Sequence, residues 1–346
     1  MTATLKQAVV DFYRYPPVGW DDWRYTFETA RVRVFETQML TRATLVDMAN
    51  SPNFEHAAEL LRASEYALPQ TSAGLADVEN VLRARRSALR ELFEQFCIDK
   101  TIARLFKARD DFANLRLAVR RLATGKPIAG DYSNEGNFPP ERFAEVFEQE
   151  NYVEAGMPDY MAEAAERAIL AYYQDKDIRR LDYAIDAAQA HYNLKKAAEM
   201  KSVFLLGLFR MQIDLVNIRT MLRIKIAQRD YRGVFLDGGY VETERFSHGL
   251  DIGLEAIGAL FFATPYYEVV QAGANYLASN KSFLKIEQQC EEHLTGFLKS
   301  TVQVAAGAQP IIAYLLMKEN EIRTVRLILT AKKNFLDNRL ILDRFG

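Results

Sequence analysis

Asp111-Phe-Ala-Asn-Leu-Arg116 is a six-residue stretch that returns, with small changes, along the whole chain. It reappears as Asp214-Leu-Val-Asn-Ile-Arg219, 103 residues later, and as Glu321-Ile-Arg-Thr-Val-Arg326 after another 107. A weaker copy, Glu28-Thr-Ala-Arg-Val-Arg33, precedes the first by 83 residues. Similar stretches at a quasi-regular spacing indicate a chain that is built from repeated units.

The motif has the pattern of a helix with one apolar stripe. In a helix that turns 100° per residue, the apolar residues of each copy fall on one side, and the acid and the arginine flank them. The stripes are Phe112, Leu115, Val119 and Leu122, then Leu215, Ile218, Leu222 and Ile226, then Ile322, Val325 and Leu329. Such a stripe predicts a buried helix–helix seam with polar fastening at its margins, which favours a structural role over a ligand site.

The polar residues of the motif are therefore the candidate structural residues of the repeat. They are Arg33, Asp111, Asn114, Arg116, Asp214, Asn217, Arg219, Glu321 and Arg326. We expect each recurring arginine to be fastened to its own or an adjacent unit, through a carboxylate or through carbonyl oxygens.

An acidic residue keeps step with the motif. Glu79 and Asp182 lie 32 residues before Asp111 and Asp214, and Glu287 lies 34 residues before Glu321. Each acid opens a stretch with helical periodicity, so the same helix is predicted upstream of each of the three later copies.

Loops rich in Gly, Pro and Asn follow the motif at 41–53, 124–140 and 229–244, and we predict that they share one face. After each loop we predict a helix that begins with an aromatic residue, at 54–66, 143–152 and 246–267. The predicted units are 21–110, 111–213 and 214–320, with a closing motif helix at 321–346. This organisation, and apolar residues that return every three or four positions, predict an all-α fold.

Composition and charge limit the classes of function. The formal net charge of -2 supplies no net attraction to nucleic acid or anionic lipid. Cys97 and Cys290 stand far apart and outside any metal-binding pattern, which fits a reducing cytoplasmic setting. No apolar run approaches the roughly 20 residues that span a bilayer, so we expect any membrane contact to be indirect.

The sequence contains neither a GxSxG nor an HExxH motif. Gly125-Lys126 is followed by Pro127, which is typical of a helix terminator and not of a nucleotide-binding loop. The four histidines are scattered singly. We predict no catalytic residue, cofactor or metal. The basic cluster of Arg83, Arg85, Arg86 and Arg90 is predicted to be solvated or ion-paired, with an acidic partner as the alternative.

Several segments together resemble the C subunit of the V-type and archaeal-type rotary ATPases, called the d subunit in eukaryotes. The segments are Tyr25–Val34, Asp111–Arg116, Asp214–Arg219, Phe235–Gly239, Thr264–Tyr266 and Lys318–Leu329. They extend over nearly the whole chain, and the closing Lys-Glu-x-Glu-Ile-x-x-x-Arg pattern is the most specific. Thr324 stands where the family usually has Asn, and the first copy has Arg31 at that place.

The resemblance implies a funnel of three similar helical subdomains about a pseudo-threefold axis. It also implies a non-catalytic rotor adaptor that sits on the cytoplasmic face of the membrane proteolipid ring and receives the end of the central shaft. Its partners would be the central-shaft subunits and the proteolipid ring, without nucleic acid, and it would transmit torque for ATP-coupled proton or sodium transport.

Two other functions are consistent with the residues themselves. One is a generic helical-repeat scaffold for protein interactions, in which an open array would end in capping repeats. The other is an enzyme whose catalytic groups come from distant helices and leave no motif. An assay of the purified protein for ATP hydrolysis and common hydrolase activities tests the second.

Overall fold

The structure is a computed structural model that describes residues 10–69, 74–125, 132–149, 156–228 and 231–345. Within these ranges every regular element is a helix, which confirms the all-α class. The α-helices are α1 (Thr26–Glu36), α2 (Arg42–Asn50), α3 (Phe54–Glu59), α4 (Leu75–Phe96), α5 (Lys100–Thr124), α6 (Glu141–Gln149), α7 (Asp159–Asp175), α8 (Ile178–Glu199), α9 (Val203–Ala227), α10 (Thr243–Asp251), α11 (Tyr267–Asn280), α12 (Leu284–Lys299), α13 (Ala308–Lys333) and α14 (Asn338–Phe345). Short 3₁₀ helices cover Trp23–Tyr25, Arg232–Val234, Leu254–Phe261 and Ser300–Gln303.

Three of the long helices, α5, α8 and α9, begin at polar caps that the sequence supplies. Asp99, Asp177 and Ser202 precede α5, α8 and α9, and each side chain accepts a hydrogen bond from a backbone N–H of the first turn. These bonds satisfy donors that the helix itself cannot pair. Gly125 ends α5 with a positive φ of 62°, so this glycine terminates the helix as the sequence predicts.

The chain divides into two compact units. One combines Val10, the described end of its N-terminal part, with residues 99–251, which hold α5 to α10. The other combines residues 11–98 with 252–345, so it joins α1 to α4 with α11 to α14. The boundaries of the three predicted repeat units stay a prediction.

In the 99–251 unit the core lies between α5, α7 and α8. Phe112, Leu115 and Val119 of α5 pack into a cluster with Phe143 of α6 and Met161 of α7, and all are nearly or fully buried. Helix α9 continues the core against α8 and α10. Leu122 and Ile226, the last members of two predicted stripes, are exposed, because each lies in the final turn of its helix.

In the other unit α13 is the central helix. It packs against α4, α1, α12, α3, α2 and α14, and Ile322, Val325 and Leu329 of its predicted stripe are buried. Helices α1 to α4 come from the opposite end of the chain. The C-terminal motif helix therefore completes a core that the N-terminal segment begins.

Three predicted boundaries were wrong or incomplete. The predicted loop 41–53 contains α2, because the Thr41 side chain caps a new helix by accepting from the N–H of Thr44. The predicted helix 54–66 ends as α3 at Glu59, and 246–267 is split between α10 and a 3₁₀ helix. The predicted helix 143–152 is α6, and its last residues lie outside the described ranges.

Candidate functional site

Asp111 on α5 is fully buried and holds the loop that follows its own helix. Its carboxylate accepts hydrogen bonds from the N–H of Asn137 at 2.8 Å, the N–H of Phe138 at 3.0 Å and Asn137 Nδ2 at 2.8 Å. The hydroxyl of Tyr160 at the start of α7 donates a fourth bond at 2.8 Å. We call such an arrangement, a motif carboxylate that binds loop backbone N–H groups, a loop clasp.

Asn114, one turn further along α5, binds the same loop. Its Nδ2 donates to the carbonyl of Ser133, and its Oδ1 accepts from the N–H of Ser133, both at 2.7 Å. The side-chain amide thus pairs both the backbone N–H and the backbone C=O of the half-buried Ser133.

A second loop clasp on α9 has the same register. Asp214 accepts from the N–H of Tyr240 at 2.9 Å and of Val241 at 3.1 Å, and Asn217 exchanges two 2.8 Å bonds with Leu236. In both clasps the acid binds N–H groups 26 and 27 residues ahead, and the asparagine binds a residue 19 ahead. The two helices therefore hold equivalent loops.

A glycine directly precedes the clasped N–H groups in each loop. A Cβ on Gly136 would lie 2.3 Å from Asp111 Oδ1, and a Cβ on Gly239 would lie 2.1 Å from Asp214 Oδ1. Both distances are far inside van der Waals contact. Glycine is needed at these positions because the loop backbone approaches the carboxylate closely.

The third loop clasp joins the two ends of the chain. Glu321 on α13 accepts from the N–H of Leu40 at 2.7 Å and from the hydroxyl of Tyr66 at 2.7 Å. The buried ammonium of Lys318 also contacts this carboxylate and that of Glu65. The C-terminal motif helix thus holds the first loop, in the way that α5 and α9 hold the loops that follow them.

The third clasp has Thr324 where the first two motif copies have Asn114 and Asn217. The Thr324 hydroxyl donates to the carbonyl of Asn320 at 3.0 Å, within α13 itself. In the first two clasps, the asparagine binds a loop residue that lies four positions before the first clasped N–H group. The equivalent residue before Leu40 is Glu36, which is still part of α1. The loop segment that Asn114 and Asn217 hold is therefore replaced by helix.

Two of the recurring arginines, Arg116 and Arg326, lie within ion-pair distance of an acid that keeps step with the motif. Arg116 contacts Asp186 and lies 3.8 Å from Asp182, so it joins α5 to α8. Arg326 Nε lies 2.9 Å from Glu79 Oε1, so it joins α13 to α4. Arg219 is half-buried and also takes part in a noncovalent interaction.

Arg33 on α1 fastens the segment before α13. Its Nη2 donates to the carbonyls of Thr301 at 2.6 Å and Val304 at 3.3 Å, while Nη1 binds Glu36. In the clasps, a carboxylate accepts from backbone N–H groups. In this weaker motif copy, the positively charged guanidinium of Arg33 instead donates to backbone carbonyls.

Burial sets the electrostatics of the clasps. Burial and the neighbouring Asp111 carboxylate raise the pKa of Tyr160, and burial and Glu321 raise that of Tyr66 in the same way. Both tyrosines therefore keep their protons and remain donors. Burial also raises the pKa of Asp186, which Arg116 opposes.

The motif residues were named as candidates from the sequence, but Tyr160, Tyr66 and the clasped loop residues were not. A signal was present for part of this set, because Gly136 and Gly239 each lie 25 residues after the motif acid. The motif carboxylates are occupied with loop backbone and tyrosine hydroxyls, so the arrangement stabilises structure and leaves no free acid–base pair in these clasps.

The described part of the chain shows no group of three or more His, Cys, Asp or Glu side chains that is suited to a metal ion. Among the helices in the described ranges, none has the length and apolarity to cross a membrane.

Comparisons with known proteins converge on one family. The family model for the ATP synthase (C/AC39) subunit matches residues 29–344. The C subunit of an A-type ATP synthase of Thermococcus kodakarensis is 25% identical over 357 residues, which cover 95% of this chain and 94% of the relative. The C subunit of a V-type ATP synthase of Thermus thermophilus is 26% identical, with 91% and 95% covered. The C subunit of a V-type sodium ATPase of Enterococcus hirae is 21% identical, with 90% and 95% covered.

Proposed function

Because the chain belongs to the ATP synthase (C/AC39) subunit family, we propose that it is the non-catalytic rotor adaptor of a V-type or A-type rotary ATPase. In this role it links the central shaft to the membrane proteolipid ring and transmits torque for ATP-coupled proton or sodium transport. Its place is peripheral, on the cytoplasmic side, as part of a membrane-bound complex.

The observation that carries the proposal is the extent of the match. It reaches from residue 29 to residue 344, and the relatives named as C subunits are matched over nearly their full length. A shared module would account for a local match, but an end-to-end match indicates the same kind of protein.

The loop clasps support a torque-transmitting adaptor built from a threefold repeat. Three motif helices each hold one loop by a buried carboxylate, so connections that usually move are fixed to the core. A protein that transmits torque needs this kind of rigidity, because a soft connection would store the rotation as local deformation.

The first test is affinity purification of the tagged chain from its native membrane. We expect shaft subunits and the proteolipid to be recovered with it. Recovery of unrelated proteins only would favour the generic helical-repeat scaffold.

The second test measures coupling in membrane vesicles from a strain that lacks the chain. ATP-driven proton or sodium uptake should be lost, and expression of the chain should restore it. Normal uptake in its absence would refute a role as coupler.

A further inference from the structure

The outer side of α1, with the 3₁₀ helix before it, places large apolar side chains in solvent. Trp23, Phe27 and Val34 are 68%, 66% and 57% exposed. Together with the exposed Ala30, they follow one another at intervals of four, three and four residues. Within α1, from Phe27 to Val34, this is the spacing of a coiled-coil seam, and Trp23 adds an exposed ring from the 3₁₀ helix before it. We call these four residues the α1 stripe.

The opposite side of the same segment already serves the core. Tyr25, Thr29 and Val32 are buried at intervals of four and three residues, and α1 packs against α13. A helix with apolar residues on both sides is typical of a buried helix. One seam of α1 is occupied within the chain, so the α1 stripe is a second seam that is available to another helix.

An exposed cation stands at the edge of the α1 stripe. The Arg31 guanidinium lies 5.7, 5.6 and 4.9 Å from the ring centroids of Phe27, Phe35 and Phe96. Cation–π contacts with three rings hold it in position. No carboxylate of the described residues pairs with Arg31, whereas Arg33 is already bound to Glu36.

We propose that the α1 stripe docks one amphipathic helix of another subunit, with a carboxylate of that helix placed against Arg31. The apolar spacing specifies a helix as the occupant, and the uncompensated guanidinium specifies an acid beside the seam. This inference rests on the assembly proposed above and assigns one of its contacts to α1.

A lipid surface fits the observations less well. Asp21, Asp22 and Glu28 are neighbours of the α1 stripe in sequence, and Asp22 neutralises Arg24 through a short ion pair at 2.6 Å. Carboxylates beside exposed aromatic residues oppose binding to anionic headgroups.

The contact is tested by placing a photo-crosslinking amino acid at position 27 of the tagged chain, in complexes purified from the native membrane. We expect a crosslink to a helical segment of another subunit, with an acidic residue within about one turn of the crosslinked position. A crosslink to lipid, to a second copy or to nothing, in a preparation that contains the ATPase subunits, would overturn the inference. A preparation without those subunits would instead refute the proposed function.

Variants give an independent readout. Phe27→Ser and Arg31→Glu should each lower retention of the chain in the complex by about tenfold or more, as loss of a central contact does. The control is Leu170→Ser, which changes an equally exposed leucine on α7 and should leave retention unchanged. Equal retention of all three variants would contradict the proposal. Because all three residues are exposed, unfolding midpoints should confirm that each variant is folded.

Tryptophan fluorescence follows the same surface in the free chain. The chain has two tryptophans, Trp20 and Trp23, and both are exposed. Free protein should show red-shifted emission and strong quenching by acrylamide at every concentration. Shielding that grows with protein concentration and disappears in Phe27→Ser would mean that a second copy covers the α1 stripe, which would overturn the assignment to another subunit.

Discussion

Asp111 shows how much one buried carboxylate contributes when it serves four donors. We expect Asp111→Ala to lower the free energy of unfolding by about 3 kcal/mol, because two loop N–H groups and the Tyr160 hydroxyl lose their acceptor inside the protein. Urea unfolding measures this change. Glu163→Ala, which removes an exposed carboxylate of the same unit, should change stability by no more than about 0.5 kcal/mol. Equal effects would show that the clasp adds little.

Gly136 and Gly239 test the same clasps from the side of the loop. Alanine at either position places a methyl group against the clasping carboxylate, so we expect a loss of about 1–3 kcal/mol in each case. Gly233→Ala is the matched control, since nothing lies within 4 Å of its added Cβ. Thermal or urea midpoints decide the comparison. If all three variants unfold alike, close approach of the backbone is not the reason for these glycines.

His293 on α12 is buried between two aromatic rings, away from the clasps. Its ring centroid lies 5.3 Å from that of Tyr15 and 5.2 Å from that of Tyr266. Burial, with a smaller effect of the nearby Arg14 charge, lowers the pKa of His293 to about 4. The imidazole is therefore neutral in the folded protein at neutral pH.

The lowered pKa of His293 predicts acid sensitivity. The unfolded chain binds a proton at this histidine below its ordinary pKa of about 6.5, while the folded chain does so only near 4. Stability is thus complete above the unfolded pKa and is lost as the pH falls, by about 2 kcal/mol between pH 7 and pH 5. His293→Phe should remove this part of the pH dependence. The exposed His191→Gln variant should keep it, because His293 is still present.

The ion pairs that join helices differ between the two units, although the motif is the same. In the 99–251 unit Arg116 and Arg120 of α5 meet Asp182 and Asp186 of α8 as a network. In the other unit Arg326 pairs with Glu79, and these side chains are 41% and 44% exposed. Arg116 and Arg120 share Asp182, whose side chain is only 19% exposed, so solvent screens this network less than the Arg326–Glu79 pair and equivalent sequence positions contribute unequally.

A mutant series on these helices measures the difference. Arg116→Ala should cost about 1 kcal/mol, because it removes the cation that contacts Asp186 and lies 3.8 Å from the more buried Asp182. Arg326→Ala should cost about 0.5 kcal/mol or less. A double-mutant cycle of Arg326 with Glu79 checks that the smaller value belongs to this pair. A loss at Arg326 as large as at Arg116 would contradict the solvent-screening argument.

Helices with strong periodicity were predictable, and the segments between them were not. The stripes on α5, α9 and α13 identified these helices, because burial on one face imposes a period near 3.6 on the sequence. The short helix α2 was missed. Its nine residues carry little periodicity, and its existence depends on the Thr41 cap and on packing against α13.

The motif repeat names the candidate residues, but the sequence does not indicate most of the groups that they bind in the structure. Asp111 and Asn114 bind mainly backbone groups of residues 133–138, and a backbone N–H leaves no signature in the side chain that carries it. The pairing of Arg326 with Glu79 was hidden for another reason. The closing helix belongs with the first segment of the chain, while sequence order assigns it to the last.

For the whole molecule, the main consequence of the third loop clasp is that residues 11–98 depend on α13. A chain that ends at Gly307 should lose amide protection at residues 37–66, with Leu40 among the first, because its N–H loses Glu321. Residues 99–251 should keep their protection, since their two clasps are internal. Hydrogen exchange followed by mass spectrometry measures both segments in one sample. Unchanged protection at residues 37–66 would show that the N-terminal segment does not need α13.

Tyr66 and Glu321 are separated by 255 residues, which has a consequence for biosynthesis. At about 5–20 residues per second, the ribosome adds Glu321 roughly 13–50 s after Tyr66. During this interval the emerging N-terminal segment exposes the apolar surface that α13 will cover, and it is a natural client for chaperones. A message with a premature stop codon before α13 yields a product whose first segment never closes, so proteases can remove it.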